Sequence, residues 1–389
     1  METRTQVGII GAGPAGLVLA HLLRARGIDC VVLERQSRSY VEARIRAGVL
    51  EHGTVDLLTS LGLADRLHRE RMVHHGIELL FERSAHRIPL TELAGREITI
   101  YGQHEVVKDL IAAWGGPLHF SVSDVSLSDL SFAPTISYVD ASGVSQVLRC
   151  DVIAGCDGFH GVSRAAIPAD VLRVHQRDYP HAWLGILAQA PPSSEELIYA
   201  HSPRGFALHS MRSPTVTRMY LQVRPDEDLA EWPDERIWAE LRARLDRSDA
   251  GWSLADGPIL ERSVAAMRSF VVSPMQYGRL FLAGDAAHIV PPTGAKGLNL
   301  AVADVKVLAD ALSSFYATGD SAGLDAYSET CLRRVWRVQH FSWWMTSMLH
   351  PTGDDPFDLE LQLSQLRYVT SSRAAATSLA ENYVGFPFP

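Results

Sequence analysis

Three glycines at fixed spacing, Gly11, Gly13 and Gly16, stand between a short apolar segment and a helical one. Glycine has no side chain, so this spacing permits a tight turn, a close approach of a phosphate to the backbone, and helix–strand packing. The start of the helix then offers free N–H groups and partial positive charge to the phosphate. Glu34 ends the next apolar segment, where its carboxylate can bind ribose hydroxyls. The pattern predicts dinucleotide binding and leaves FAD and NAD both open.

Two further motifs, each placed directly after an apolar segment, favour a flavin. The second motif is Gly155-Cys-Asp-Gly158, with Arg164 shortly after it. The third occupies residues 284–297 and reads GDAAHIVPPTGAKG. Asp285 in this motif can hold a ribityl hydroxyl, and the loop and helix start that follow can lie against a ring system. A helix N-terminus beside a flavin would stabilise negative charge on the reduced ring.

These motifs need strands and helices that bring them together. A helix to about Arg26 follows the first of the predicted short buried strands, which cover residues 6–10, 29–34, 151–155 and 279–283. Residues 180–224 alternate apolar and polar side chains, which predicts antiparallel sheet. Residues 299–349 have a helical pattern. We therefore expect an α/β plus α+β fold, in which a Rossmann-like FAD-binding domain is interrupted by a β-rich substrate domain and followed by C-terminal helices.

Composition excludes several other classes of protein. The 389 residues include 36 Lys+Arg and 45 Asp+Glu, and the net charge of −9 argues against a general nucleic-acid partner. No apolar stretch is long enough for a transmembrane helix, so we expect no membrane association and a cytoplasmic location. No CxxC pair or zinc spacing occurs, so we expect no metal site, and the few thiols suggest a reducing compartment; the cysteines are Cys30, Cys150, Cys156 and Cys331.

The three motifs, in this order, resemble the fingerprints of the FAD-dependent aromatic hydroxylases. The resemblance is stronger to members that act on para-hydroxylated benzoates, and it is weakest around residues 82–96, 121–149, 244–260 and 350–380. The segments that carry it cover residues 44–51, 155–161, 197–200, 204–208, 268–272, 281–300, 341–346 and 381–385.

The resemblance implies a division of the chain and an activity. We predict FAD-binding segments at 1–72, 97–178 and 268–298, substrate-domain segments at 73–96 and 179–267, and a helical region at 299–389. The implied reaction converts 4-hydroxybenzoate to 3,4-dihydroxybenzoate with NADPH or NADH and O2, through a flavin C4a-hydroperoxide. Hydroxylation of another aromatic acid, such as a 3-hydroxy- or amino-benzoate, stays open. A non-catalytic carrier with this fold is an alternative that the complete motifs disfavour, and the sequence lacks the Trp-x-Trp-x-Ile-Pro segment of flavin-dependent halogenases.

The resemblance also implies which residues hold the aromatic acid. Ser210, Arg212 and Tyr220 match the positions that bind its carboxylate, and arginine can do so with two parallel hydrogen bonds. Met211 is included in this substrate-binding set, although strand alternation points it, with His209 and Met219, away from the ring. Pro292 and Thr293 would complete the pocket beside the flavin.

A proton relay is implied at the phenol end, because a phenolate donates electrons to the ring better than a phenol does. Tyr199, Tyr383 and His74 match the relay positions. We expect His74 at the solvent end, since histidine is the side chain that titrates near neutral pH.

The cofactor residues follow in the same way. Ala15 departs from the family, in which serine is frequent, and so loses one hydrogen bond to the pyrophosphate. Lys296 is expected to add positive potential near the flavin. We expect Arg35, Arg38, His160 and Arg268 at the NADPH site. The remaining flavin shell, besides the three glycines, comprises Glu34, Arg44, Arg46, Gln103, Asp285, Leu298 and Asn299.

A homodimer is implied by the resemblance. The tryptophans of the C-terminal helical region, Trp336, Trp343 and Trp344, could form a dimer face, but their apolar character favours a place in the core.

Overall fold

A computed structural model describes residues 2–44, 48–249, 251–353 and 355–388. Arg46 lies outside these residues. The strands of the described part are β1 (Glu2–Ile10), β2 (Cys30–Leu33), β3 (Val49–Leu50), β4 (Met72–His74), β5 (Ile77–Phe81), β6 (Ser84–Ile88), β7 (Ile98–Ile100), β8 (Leu118–His119), β9 (Ser123–Ser128), β10 (Thr135–Val139), β11 (Ser145–Gly155), β12 (Arg173–Ala188), β13 (Leu197–Ala200), β14 (Ala207–Ser213), β15 (Val216–Val223), β16 (Ile259–Ser273), β17 (Gln276–Tyr277), β18 (Leu280–Leu282) and β19 (His288–Ile289).

The α-helices of the same residues connect and cover these strands. They are α1 (Pro14–Arg24), α2 (Arg38–Ala43), α3 (His52–Ser60), α4 (Asp65–Glu70), α5 (Leu90–Ala94), α6 (Gln103–Ala113), α7 (Asp234–Arg244), α8 (Gly297–Thr318), α9 (Ala322–Asp325), α10 (Tyr327–Leu349), α11 (Pro356–Ser371) and α12 (Arg373–Val384). None of them is long and apolar enough to cross a membrane.

The first sheet has parallel strands at its centre. β1 pairs in parallel with both β2 and β11, and β18 pairs in parallel with β11. Burial on both faces explains why these strands are continuously apolar. Since their carboxyl ends meet at one edge, the glycine turn, the Gly-Cys-Asp-Gly motif and the Gly-Asp motif converge there. The four predicted strands are confirmed, although β1 and β11 begin four and six residues earlier than predicted.

The second sheet is mainly antiparallel, with the strand order β19-β16-β12-β15-β14-β13-β5-β6. It contains the segment in which the sequence alternates, so the predicted fold class is confirmed. The proposed division of the chain needs adjustment at two points. β12 begins at Arg173 and β16 runs to Ser273, so the boundaries at 178/179 and 267/268 fall inside continuous strands of this sheet.

The C-terminal helices cover one face of the second sheet. Phe341 and Met345 of α10 and Tyr383 of α12 share a buried apolar cluster with Tyr199 of β13. The expectation that the tryptophans of α10 are core residues is wrong for two of them. Trp336 is 45% exposed and Trp343 is 38% exposed.

A column of buried rings joins α10 to the second sheet. The rings of His181 and His350 are stacked with their centroids 4.6 Å apart, and both residues are buried. His350 donates from Nδ1 to the carbonyl of Thr346 and accepts at Nε2 from the Trp183 Nε1–H, at 3.0 Å and 2.7 Å. Both ring nitrogens of His181 lack a hydrogen-bond partner, and burial lowers the pKa of His181 to about 4. Both histidines are therefore neutral at pH 7.

Acid should destabilise this packing through His181. In the unfolded chain the histidine takes up a proton below about pH 6.5, whereas the folded protein excludes that proton until about pH 4. Stability from this site is therefore complete above pH 6.5 and falls as the pH drops. At pH 5 the loss is about 2 kcal/mol. We expect His181→Phe, which keeps an aromatic ring, to lose less melting temperature between pH 7.5 and 5 than the parent. His119→Phe, at an exposed site, is the control. An equal pH slope for parent and His181→Phe would contradict the prediction.

Candidate functional site

Of the three glycines in the turn, only Gly13 leaves room for a ligand. Gly11 has φ +105°, and a Cβ there would lie 2.3 Å from the carbonyl oxygen of Cys156. A Cβ on Gly16 would lie 2.0 Å from the carbonyl oxygen of Gly11. A Cβ on Gly13 meets no protein atom within 4 Å. Gly11 and Gly16 therefore allow strand and helix to pack, and Gly13 faces open space at the start of α1.

The carboxylate of Glu34 fixes the same turn. Oε2 accepts a hydrogen bond from the Ala12 N–H, and Oε1 accepts one from the Gln36 N–H, each at 2.8 Å. A carboxylate oxygen has two lone pairs, so each can accept a second bond. Glu34 is thus held in one orientation and still lines the adjoining cavity, where ribose hydroxyls can reach it.

A cavity of about 510 Å³ lies where the three motifs meet. An elongated dinucleotide fits these surroundings, because they combine an open backbone turn, the N-terminus of α1 and a fixed carboxylate. Arg35, His160 and Arg268, expected at the NADPH site, lie on its wall. The structure brings together these predicted cofactor residues around the cavity: Gly11, Gly13, Ala15, Glu34, Arg44, Gln103, Asp285 and Leu298.

Asp157 is a cavity residue that the predicted set omitted. Its Oδ2 accepts hydrogen bonds from the N–H and the hydroxyl of Ser163, both at 2.9 Å, while its Oδ1 is buried without a partner. Burial raises the pKa of this carboxyl. The Gly-Cys-Asp-Gly motif was the signal that could have identified it. Other lining residues absent from the predicted set include Gln36, Tyr40, His104, Gly158 and Phe159.

Arg164 joins the second motif to the third. Its guanidinium donates to the carbonyls of Ala286 at 3.0 Å and Phe159 at 2.6 Å. It also lies 4.7 Å and 4.9 Å from the ring centroids of Phe159 and Phe270. One side chain therefore holds two walls of the cavity at a fixed separation.

Two predicted cofactor residues, Lys296 and Asn299, bond to other protein groups and do not line the cavity. Lys296 is buried, and its ammonium donates to Glu51 Oε1 at 2.7 Å and to the Tyr383 carbonyl at 2.6 Å. The Asn299 side chain accepts from the Glu51 N–H and the Thr54 hydroxyl and donates to the Val49 carbonyl. Neither side chain lines the cavity. Their contacts instead fasten the chain around residues 49–54 and 383.

Arg38 also departs from expectation. Its Nε donates to Glu42 Oε1 at 2.7 Å, one helical turn along α2, and its side chain is 58% exposed. The cavity wall includes Arg35 but not Arg38. Arg38 therefore forms a surface pair in place of the expected phosphate contact.

Tyr199 and Tyr383 meet at their hydroxyl groups. The two oxygens lie 2.6 Å apart, and both side chains are buried. Burial raises the pKa of each phenol, so both hydroxyls stay protonated at neutral pH. Each hydroxyl can donate one hydrogen bond and accept another, so the pair can transfer a proton along the chain of hydroxyls without either tyrosine ionising.

Strand register places the carboxylate-binding candidates beside this pair. Leu208 is aligned with Tyr199 on one side and with Tyr220 on the other, so the three share a face of the sheet. Ser210 lies two residues further along β14, a step of about 6.7 Å on the same face.

Arg212 is bulged out of the strand ladder, because the register shifts between Met211 and Ser213. Its Nη1 donates to the Ser210 hydroxyl at 3.2 Å and to the Met211 carbonyl at 2.9 Å. Its Nε is buried without a partner. Burial lowers the pKa of this guanidinium, with Tyr220 opposing the effect, and no carboxylate contributes. This is a site that an anion would stabilise.

The neighbouring methionines pack in different apolar clusters. Met211 packs in the cluster that contains Tyr199 and Tyr383, although its pairing with Thr217 aligns its backbone with the face of Met219. Met219 packs in the opposite cluster, as expected. In the loop before α8, Thr293 is buried and its hydroxyl bonds that of Thr346 at 2.8 Å, while Pro292 is exposed.

His74 was expected at the solvent end of the relay, and this is wrong. It is 2% exposed, and neither ring nitrogen has a hydrogen-bond partner. Burial lowers its pKa to about 4, so the imidazole is neutral at pH 7. His74 pairs with Ile98, which belongs to the same cluster as Tyr199 and Tyr383, so it faces the same interior.

Comparison with known proteins agrees with this geometry. Residues 4–342 match the family described as FAD binding domain. The chain is 48% identical to p-hydroxybenzoate hydroxylase of Acinetobacter baylyi, across 100% of this chain and 97% of the relative. It is 27% identical to a 3-amino-4-hydroxybenzoate 2-monooxygenase of Streptomyces platensis, across 87% of each chain.

Solved structures share the fold. The structure of p-nitrophenol 4-monooxygenase from Pseudomonas putida superposes with a TM-score of 0.84 at 20% identity, covering 99% of both chains. A complex of aklavinone-11 hydroxylase with FAD and aklavinone superposes with a TM-score of 0.73 at 21% identity, covering 89% of this chain and 69% of that one. The chain belongs to the FAD-dependent aromatic hydroxylases, flavoprotein monooxygenases that use NAD(P)H and O2.

Proposed function

We propose that this enzyme hydroxylates 4-hydroxybenzoate at the 3-position, giving 3,4-dihydroxybenzoate. The observation that carries the proposal is the pairing of two opposite chemistries on one face of the second sheet. Arg212 with its unpartnered Nε lies at one end, and the hydroxyl pair of Tyr199 and Tyr383 lies at the other. The 48% identical relative bears the name of this activity.

At the carboxylate end, we propose that Arg212 binds the substrate together with Ser210 and Tyr220. The guanidinium already loses solvation through burial, so an ion pair with a carboxylate would recover part of that free energy. The Ser210 hydroxyl donates to the Arg218 carbonyl at 2.9 Å and holds the guanidinium as acceptor. This geometry orients the ring by fixing one end of it.

At the phenol end, we propose that Tyr199 receives the substrate proton and passes it to Tyr383. Hydroxylation is an electrophilic attack on the ring, and a phenolate is attacked far more readily than a phenol. Neutral hydroxyls at 2.6 Å transfer protons without leaving a charge in an apolar cluster. His74 is proposed as a later member, because a neutral imidazole can accept at one nitrogen and donate from the other.

FAD, when bound, supplies the electrons taken from NAD(P)H and the activated oxygen. We propose that Gly11, Gly13, Glu34 and Asp285 hold it, with Asp157 as an added member. The buried apolar cluster around Tyr199 excludes water from the reacting ring.

We propose NADPH as the preferred donor, because Arg35 and Arg268 lie on the cavity wall and can pair with a 2′-phosphate.

We also propose that two copies of the chain associate. The exposed Trp336 and Trp343 flank a groove of about 290 Å³ on α10, which a second copy could cover.

Substrate-stimulated oxidation of the donor tests the proposed reaction. With the purified holoenzyme, we expect 4-hydroxybenzoate to raise NADPH oxidation sharply and to yield 3,4-dihydroxybenzoate by chromatography. NADH should support a slower rate. Equal rates with and without 4-hydroxybenzoate would contradict the proposal. Product formed instead from a 3-hydroxy- or amino-benzoate would assign the enzyme to another aromatic acid.

The carboxylate site predicts a binding defect in Arg212→Lys. Lysine keeps the charge but cannot form the two parallel hydrogen bonds of a guanidinium. We therefore expect KM for 4-hydroxybenzoate to rise about 10- to 100-fold, with a smaller change in kcat. Steady-state kinetics at saturating NADPH measure both quantities. Arg262→Lys, on the surface pair with Asp234 at 3.0 Å, is the matched control. An unchanged KM in Arg212→Lys would remove Arg212 from the site.

Two glycine variants separate cofactor binding from folding. Gly13→Ala places a methyl group where no protein atom lies within 4 Å, so the apoprotein should melt normally while FAD binds at least about tenfold more weakly. Gly16→Ala meets the Gly11 carbonyl and should destabilise the apoprotein by about 1–3 kcal/mol. Flavin fluorescence titration and thermal melting measure the two effects. Parent-like FAD affinity in Gly13→Ala would show that phosphate does not approach there.

A further inference from the structure

Three charged side chains lie next to the backbone of Tyr383, and two of them are buried while Arg334 is half-buried. Glu51 accepts from Lys296 at 2.7 Å through Oε1 and from Arg334 at 3.3 Å through Oε2. The side chains of Glu51 and Lys296 are 6% and 2% exposed, and that of Arg334 is 12% exposed. Two cations therefore share one carboxylate in the interior, between the start of α8 and the middle of α10.

Both cations also hold the backbone that carries Tyr383. Lys296 donates to the Tyr383 carbonyl at 2.6 Å. Arg334 donates to the carbonyls of Phe386 and Pro387, both at 2.9 Å. The cluster thus grips the C-terminal segment at Tyr383 itself and again just beyond it.

The segment after Tyr383 packs directly against Glu51, beside a cavity of about 210 Å³ that Arg334 and Phe341 also line. A Cβ on Gly385 would lie 1.9 Å from Glu51 Oε2, so the segment after Tyr383 is pressed against this carboxylate. The Lys296 ammonium also lies 5.5 Å and 5.7 Å from the ring centroids of Phe341 and Tyr383. The position of Tyr383 is therefore fixed from its backbone and from its ring.

Stability alone does not account for such a cluster. Buried ion pairs lose much solvation, and apolar replacements of similar volume are often as stable or more so. Charged groups with several directional hydrogen bonds do fix geometry, because each bond weakens steeply when its atoms move. Here the geometry that they fix ends in the 2.6 Å contact between the Tyr383 and Tyr199 hydroxyls.

We propose that Arg334 is a positioning residue, which acts through Glu51, Lys296 and the C-terminal carbonyls to keep Tyr383 in contact with Tyr199. The inference rests on the proposed proton path from the substrate phenol. Loosening this support disturbs the phenol end of the bound substrate and leaves the carboxylate end at Arg212 intact. The phenol then ionises less readily, while affinity for the substrate changes little.

The test compares Arg334→Met and Arg334→Lys with the parent holoenzyme. Difference absorbance of bound 4-hydroxybenzoate against pH gives the midpoint of phenol ionisation, and titration gives its Kd. Arg333→Met is the matched control, because the neighbouring Arg333 pairs with Glu329 at 3.2 Å on the surface, where it is 69% exposed. Tyr383→Phe is the reference for complete loss of the relay hydroxyl.

In Arg334→Met we expect the midpoint to rise by about one pH unit, which is about tenfold less phenolate at a given pH, with Kd within about threefold of the parent. Arg334→Lys should shift in the same direction by less, and Arg333→Met should match the parent. If Arg334→Met does not retain FAD, the shift in Arg334→Lys decides.

Two outcomes overturn the inference in different ways. Parent-like midpoints in both Arg334 variants, with a shift in Tyr383→Phe, remove Arg334 from the path and leave the proposed function standing. A weaker Kd without a shift in midpoint shows a structural role only and also overturns it. No shift in Tyr383→Phe itself contradicts the proposed proton path, and the inference fails with it.

Discussion

The hydrogen bond between Tyr199 and Tyr383 is the contact on which the position of α12 against the second sheet depends. It joins residues 184 positions apart, one on a strand of the second sheet and one on α12. Both hydroxyls are buried, so separating them leaves two polar groups unsatisfied, at a cost of about 1–3 kcal/mol each. Apolar packing brings α12 onto the sheet, but this bond selects one position among the many that apolar contacts would tolerate.

The candidate binding sites carry positive charge, although the chain as a whole has a net negative charge. The chain carries a net charge of −9, yet the cavity wall includes Arg35, Arg44 and Arg268. In the second sheet Arg212 is half-buried, and no carboxylate is among the groups that shift its pKa. Local charge governs binding because interactions between exposed charges are screened within about 10 Å. The acidic excess therefore does not oppose an anionic cofactor or an anionic substrate at their sites.

The features that depend on local spacing could be predicted from the sequence. The glycine turn, Glu34 and the motifs at the strand ends converge because parallel strands of one sheet must end at one edge. Side chains whose partners are distant in the chain could not be placed from the sequence. Lys296 and Asn299 belong to a motif that lines the cavity, but their side chains turn to Glu51, and only the packing of α3 against α8 brings that residue near. The burial of His74 has the same origin, since a three-residue strand carries no signal of what covers it.

Some features absent from the predictions could have been inferred from the sequence. Arg38 and Glu42 are one helical turn apart, a spacing that favours a surface pair over a ligand contact. Asp157 lies inside a motif that the sequence already identified, and its buried Oδ1 follows from the tight loop ending at Ser163. The bulge at Arg212 could not be predicted from the sequence. A bulge depends on the pairing of two strands, and the alternation along one strand does not show it.

The start of α8 couples the two halves of the site. Ala295 has φ +53°, a left-handed conformation that costs a non-glycine residue about 1–2 kcal/mol. The turn it creates sends successive residues in opposite directions. Gly297 and Leu298 face the dinucleotide cavity, while Lys296 reaches back to Glu51 and Tyr383. Contacts on both sides hold the strained backbone at Ala295. The turn therefore connects the wall of the dinucleotide cavity to the backbone of Tyr383, and a displacement of the turn would move both.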